Sequence, residues 1–230
     1  MFHWSSVVLP GVSVAFTDTG AGNLALHVGD HPADVLQRRA LMDAAAGVAP
    51  FGFQFMNQIH GNEVVLVEAA GEAPTADGMV STRVPLAVMV ADCIPLILVG
   101  QSDLGGTLMG AVHAGRPGLA AGIIPAAVAR MRASGARGIR AWIGPSICGA
   151  CYEVPGGLRT EVADLVPAAW STTSWGTPGL DLPAGARSQL EADGVTVEYS
   201  GPCTLESADL FSYRGDRHAG RFAGLVWTHD

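Results

Sequence analysis

The chain has 230 residues, a net charge of −8, and 15% charged against 49% apolar residues. That balance supplies a substantial core, excludes disorder, and excludes the phosphate backbone of nucleic acid as a natural partner. All thirteen basic residues are arginines, so a lysine Schiff base, a phosphate-loop lysine and a Ser–Lys dyad are excluded too.

The N-terminal stretch Met1–Ser6 lacks the positive start and apolar run of a secretion signal, which predicts a cytoplasmic protein. A first strand is predicted at Val12–Phe16, followed by a helix at Pro32–Ala46 that opens on Pro32 and stops at Gly47. Strands follow at Glu63–Val67, Leu86–Val90, Leu96–Val99 and Thr107–Val112, each rich in β-branched residues and bordered by Gly or Pro. The longest apolar stretch, Pro85–Gly100, is broken by Asp92 and is too short to span a bilayer as a helix, so no membrane partner is expected. A helix at Gly118–Ala133 carries Arg130 and Arg132 in its last turn, and a strand at Ile139–Ile143 comes next. Helices at Pro155–Val166 and Pro183–Ala192 and strands at Val195–Tyr199 and Ala223–Trp227 complete the series. No repeat or linker interrupts it. The elements mix without a strict βαβ rhythm and no Gly-x-Gly-x-x-Gly follows a strand. One mixed-sheet α/β or α+β domain over residues 1–230 is therefore expected.

Three segments share a design, in which an apolar strand is expected to end in a metal-competent residue. They are Asn57-Gln58-Ile59-His60-Gly61, Val88 through Ala91-Asp92-Cys93-Ile94-Pro95, and Gly110-Ala111-Val112-His113-Ala114-Gly115. Strand ends converge at a sheet edge, so His60, Cys93 and His113 can meet. Two imidazoles and a thiolate leave a tetrahedral zinc one open position, where a bound water becomes acidic near neutral pH. Asp92 is expected to orient a ligand. Taken singly, each histidine also reads as a hydrogen-bonded residue and the cysteine as a small buried hydrophobe. With a cytoplasmic address, the four cysteines are expected to be reduced.

The surrounding blocks occur in a definite order: Asn57–Gly61, Ala76-Asp77-Gly78, Ala91–Pro95, His113-Ala114-Gly115, Ile143-Gly144-Pro145 through Cys151-Tyr152-Glu153-Val154, and Phe211-Ser212-Tyr213-Arg214. Together they resemble the purine nucleoside phosphorylase / multicopper polyphenol oxidase (laccase-like) family, also called peptidoglycan editing factor, from about Asn23 to the C-terminus. The resemblance implies a layered mixed-sheet sandwich with helices outside and a zinc site on His60, Cys93 and His113. It also implies phosphorolysis of adenosine, inosine, guanosine and methylthioadenosine, with adenosine deamination. Nucleoside and phosphate would be the partners of a monomer or homodimer. Asn23 matches a substrate-facing position and Arg214 a catalytic one.

The third block departs from the family pattern His-Ala-Gly-Trp-Arg-Gly, reading His113-Ala114-Gly115-Arg116-Pro117-Gly118. Arg116 reads either as an anion-binding substrate residue at a helix N-terminus or as a surface arginine. Cys148-Gly149-Ala150-Cys151 is a lone Cys-x-x-Cys pair with no partner pair at zinc-ribbon spacing; Cys148 reads as structural and Cys151 as bordering the site. The seven histidines allow one metal site but not a blue-copper centre plus a trinuclear cluster, so zinc is favoured over copper. Two other readings share the site. One is an amidohydrolase editing a cell-wall precursor, with either zinc hydroxide or Cys93, activated by His113, as the nucleophile. The other is a metal-binding protein without catalysis.

Overall fold

The computed structural model describes residues 1–103 and 105–229. Its strands in chain order are β1 (Phe2–Leu9), β2 (Val12–Thr17), β3 (Val64–Leu66), β4 (Gly78–Ser81), β5 (Leu86–Val90), β6 (Ile94–Ser102), β7 (Thr107–Ala114), β8 (Ala136–Ile143), β9 (Trp170–Thr172), β10 (Pro178–Leu180), β11 (Thr196–Ser200) and β12 (Phe222–Thr228). The helices are α1 (Pro32–Ala46), α2 (Arg116–Ala120), α3 (Ile123–Ala133), α4 (Gly156–Leu165) and α5 (Leu182–Ala192). Every predicted strand is present, with ends moved by a few residues. Four were not predicted: β1, whose bulged edge mixes half-buried and exposed residues, and the short β4, β9 and β10. The single helix expected over Gly118–Ala133 is two. Gly122 takes a left-handed backbone, φ 81°, and breaks it between α2 and α3.

Two large sheets stack face to face. One has the order β1-β2-β12-β5, the other β11-β8-β6-β7-β4-β3. The second is mixed: β3 runs parallel to β4 and β11 parallel to β8, while its other pairs are antiparallel. The alternation of side chains along each strand explains the layering. In β6, Ile97 and Val99 face the other sheet and pack with Val14, Phe16, Leu86 and Val88. Leu96 and Leu98 face outward and are covered by Ile124, Val128 and Met131 of α3 and Leu190 of α5. On the far side of the smaller sheet, Ala87, Met89 and Leu225 pack under Met42 of α1 and Phe53. The result is a single-domain sandwich of α1, sheet, sheet and outer helices. With both faces covered, the strands read as continuous apolar runs. Among the described residues no helix is long and apolar enough to cross a membrane.

One end of this sandwich gathers the chain segments that matter. The connection Ala91-Asp92-Cys93 carries the chain from β5 in one sheet directly to β6 in the other. Asp92 makes the corner with a left-handed backbone, φ 84°, uncommon outside glycine. At the same edge Ile94 pairs with Ala114 and Gly78 with Val112. The start of β6, the end of β7 and the start of β4 therefore lie side by side.

Candidate metal centre and its cleft

His60, Cys93 and His113 each bring a ligand atom to within 4.8 Å of the other two. Cys93 comes from the corner between the sheets and His113 from the last turn of pleat in β7, opposite Pro95. His60 does not end a strand as expected; it comes from the loop before β3, where only isolated bridges at Gln54 and Asn57 form, again with a left-handed backbone, φ 61°. Its Nε2 lies 3.8 Å from Cys93 Sγ, and its ring meets that of His113 edge-on at 4.6 Å. His113 is buried, Cys93 half-buried and His60 exposed, so the set opens on one side.

Asp77 holds the arrangement. Its carboxylate is fully buried and accepts the backbone N–H groups of Ile59, His60 and Gly61 at 3.2, 2.9 and 2.6 Å. It also accepts His113 Nδ1 at 2.7 Å. One side chain thus fixes the strained His60 loop and sets the His113 tautomer, leaving Nε2 toward Cys93. The sequence assigned the orienting role to Asp92. In the structure the histidines are held by Asp77, while Asp92, next to Cys93, accepts from the Thr204 hydroxyl at 2.6 Å and from the Arg214 backbone N–H at 2.7 Å. Asp92 braces the corner from behind and touches no ligand imidazole.

The donor set fits a metal that takes nitrogen and sulfur, such as zinc or copper. The space supports this. A Cβ on Gly115 would lie 2.7 Å from His60 Cδ2 and 3.2 Å from Cys93 Sγ, so only glycine leaves these ligands their positions. Gly118 is similarly confined: its Cβ would meet the Gly61 carbonyl oxygen at 2.8 Å.

Electrostatics favour a thiolate. Burial pushes the Cys93 thiol up, but the positive His113 imidazole and hydrogen bonds from both histidines bring it down to about 6. Burial likewise lowers His113, yet the Cys93 charge and Asp77 raise it to about 9. In the metal-free protein, Cys93 should therefore react with iodoacetamide at a rate that rises through about pH 6. His113→Ala should move that rise to the range of an ordinary thiol. A rise near pH 8–9 in both proteins, read by peptide mass mapping, would contradict the ion pair.

The three residues lie in the wall of a cleft of about 660 Å³. Phe55, Gln58, Met89, Tyr213, Arg39 and Arg221 also line it. Gln58 donates to the Met89 carbonyl at 2.7 Å and accepts its N–H at 2.9 Å, tying the His60 loop to β5. Arg39 lies over the Phe55 ring at 3.7 Å and donates to the Leu24 carbonyl at 2.9 Å. Its burial lowers its pKa to about 10. Arg221 is half-buried and close enough to feel the charges of Cys93 and Asp92. Neither arginine was singled out in the sequence.

The other predicted residues lie elsewhere. Asn23 is buried at 6% exposure; its amide accepts the N–H of Ala25 and Arg221 and donates to the Ala25 carbonyl, closing a loop under the cleft. Arg116 begins the five-residue α2 and is not part of the cleft wall. Arg214 lies over the Tyr152 ring, donates to the Glu153 carbonyl at 2.9 Å and borders a separate shallow cavity. Cys148 and Cys151 are also outside the cleft wall.

A sequence profile described as "Multi-copper polyphenol oxidoreductase laccase" matches residues 3–229. The chain is 45% identical, over 98% of each sequence, to a protein of Streptomyces griseus named "Purine nucleoside phosphorylase ORF3". It is 45% identical to "Purine nucleoside phosphorylase SCO2081" of Streptomyces coelicolor, covering 94% of this chain and 96% of that one. Among solved structures, Neisseria meningitidis protein NMB0706, assigned to the family DUF152, superposes with a TM-score of 0.84 at 30% identity, covering 100% of this chain and 99% of that one. YlmD of Geobacillus stearothermophilus superposes with a TM-score of 0.81 at 29% identity, covering 96% and 93%. The ordered blocks, the sandwich and the His-Cys-His cluster thus meet in one conclusion: this chain belongs to the multi-copper polyphenol oxidoreductase (laccase-like) family, together with relatives named purine nucleoside phosphorylase.

Proposed function

We propose that the protein is a zinc-dependent purine nucleoside phosphorylase of the cytoplasm that also deaminates adenosine. The carrying observation is the His60–Cys93–His113 cluster in the wall of a cleft that also holds two arginines. The names of its relatives supply the substrate class. Zinc, when bound, supplies Lewis acidity.

The chain's own residues divide the rest of the work. In phosphorolysis a phosphate oxygen bonds to ribose C1′ as the bond to the purine nitrogen breaks and its electron pair leaves with the base. Arg39 and Arg221 are the cleft cations suited to holding that phosphate. Arg39 is fixed in place by Phe55 and the Leu24 carbonyl. The Tyr213 ring, 43% exposed at the cleft, offers an aromatic face to a purine. Asp77 keeps His113 oriented throughout. This reading moves the anion role from Arg116 to Arg39 and Arg221.

Arg221→Ala should raise the KM for phosphate and lower kcat/KM about tenfold or more, the effect of losing about 1.5–3 kcal/mol in a charge-assisted hydrogen bond. Zinc content and deamination, which needs no phosphate, should change much less. Equal loss of both activities would show that Arg221 shapes the cleft instead. Unchanged phosphate kinetics would return the role to Arg116 or pass it to Arg214.

A second reading, amide hydrolysis on a cell-wall precursor, is favoured by one observation: the Cys93 thiol stands beside two imidazoles in the manner of an activated nucleophile. An acyl adduct on Cys93, seen by mass spectrometry after incubation with an amide substrate, would select it.

A further inference from the structure

Behind the Cys93 corner lies a second group of metal-competent side chains. Cys148 and Cys151 sit on one turn, Cys203 and Glu206 on another, each pair with two residues between. Each of the four brings a donor atom to within 4.8 Å of all the others. The first turn is held by the N–H groups of Cys151 and Tyr152, which both donate to the Cys148 carbonyl, at 3.0 and 2.9 Å. The two turns are laced together: Ser146 N–H donates to the Pro202 carbonyl at 3.2 Å and Thr204 N–H to the Ser146 carbonyl at 3.1 Å.

The sulfurs are arranged as ligands rather than as filler. The Cys148 N–H points at Cys203 Sγ at 3.4 Å, and the Cys151 thiol lies 3.5 Å from Glu206 Oε1. Cys151 and Cys203 are each 8% exposed, and none of the three cysteines is in a disulfide. Beside Ile147, three sulfurs and a carboxylate oxygen converge on one point, a donor set that suits a divalent cation taking sulfur and oxygen.

We infer that Cys148, Cys151, Cys203 and Glu206 hold a structural zinc ion, separate from the His60–Cys93–His113 site. Three thiolates and one carboxylate complete a tetrahedral shell, so this site has no open position and performs no chemistry. Its hard carboxylate favours zinc over monovalent copper. Its effect is mechanical. It ties together two turns that flank Asp92: Ile147 N–H donates to the Asp92 carbonyl at 3.0 Å, and the Thr204 hydroxyl to its carboxylate at 2.6 Å. The corner that carries Cys93 is thus backed by a metal cross-link. The lone Cys-x-x-Cys pair of the sequence finds its second half in Cys203-x-x-Glu206, far along the chain.

The test uses the full-length Cys93→Ala variant, kept reduced, so that only the second site can give sulfur ligation. Titrated with cobalt(II), it should bind about one equivalent with a sulfur-to-cobalt charge-transfer band and a tetrahedral spectrum. Adding Cys151→Ser and Cys203→Ser should abolish the band. Should that combination fail to fold, Glu206→Gln in the same background serves instead, weakening cobalt binding about tenfold or more. Wild-type protein grown with zinc should carry about two zinc ions per chain by native mass spectrometry. A folded Cys93→Ala protein without the band would overturn the inference. So would a disulfide among these cysteines, or copper in place of zinc at this site.

Discussion

Asp77→Ala is expected to cost about 3–5 kcal/mol of stability, the usual consequence of removing one partner from a buried charged pair. The side chain is fully buried and His113 is only 3% exposed, so water cannot replace what is lost. Three backbone N–H groups and the His113 Nδ1 would lose their acceptor together. Without it the left-handed backbone of His60 loses its direct hydrogen bond and those of both neighbours, and metal affinity should fall about 10- to 100-fold. Urea unfolding and metal content check both effects. A stability change under 1 kcal/mol would show that the loop is held by other contacts.

The same pair sets how the metal-free protein responds to pH. Burial works against the Asp77 carboxylate, but His113 and the Gly61 and His60 N–H groups hold its pKa below the ordinary 3.8. Its contribution is therefore present above that value and is lost as pH falls through the lower folded value. The contribution of His113 is fully present below its ordinary 6.5 and is lost as pH rises through about 9. The pair stabilises most between the two ordinary values.

Gly115→Ala, unlike Asp77→Ala, is expected to weaken metal binding while sparing the fold. The backbone of Gly115 has φ −75°, which alanine adopts freely. The conflict is local, since the new methyl would stand 2.7 Å from His60 Cδ2 and 3.2 Å from Cys93 Sγ. His60 is the exposed partner on a loop and is the side chain that gives way. Metal affinity at the His60–Cys93–His113 site and turnover should drop at least tenfold, with a thermal midpoint in the metal-free state close to that of the metal-free parent. Retained metal at parental affinity would show that the ligands have room to spare.

How much of this was legible in the sequence depends on how local the physics is. His60, Cys93 and His113 stood out because each follows an apolar segment, but only His113 lies in a strand; Cys93 turns the corner between two strands and His60 is carried by a loop. Asp77 lay in a recognised block but had no chemical mark of its own. Its role appears only when the fold sets it under the His60 loop and beside His113. Arg39 sits in the run Gln37-Arg38-Arg39-Ala40 of α1, which reads as the solvated side of an ordinary surface helix. Arg221 precedes β12 and becomes part of the cleft only by pairing of that strand with β2 and β5. The central strands were readable because strands buried on both faces are uniformly apolar, whereas their layering followed only from the family resemblance. The edge strand β1 was not, because its half-exposed residues follow no clean alternation. The break at Gly122 was hidden by the helical spacing on either side of it.

The most direct test of the central reading is a product assay on zinc-loaded wild-type protein and its Cys93→Ala variant, with inosine and adenosine, each with and without phosphate. The wild type should release hypoxanthine and ribose 1-phosphate from inosine only when phosphate is present, and should convert adenosine to inosine without it. The Cys93→Ala protein, folded but lacking metal at the cleft, should do neither. Release of base by the variant at the wild-type rate, or no turnover of either nucleoside by metal-loaded wild type, would contradict it.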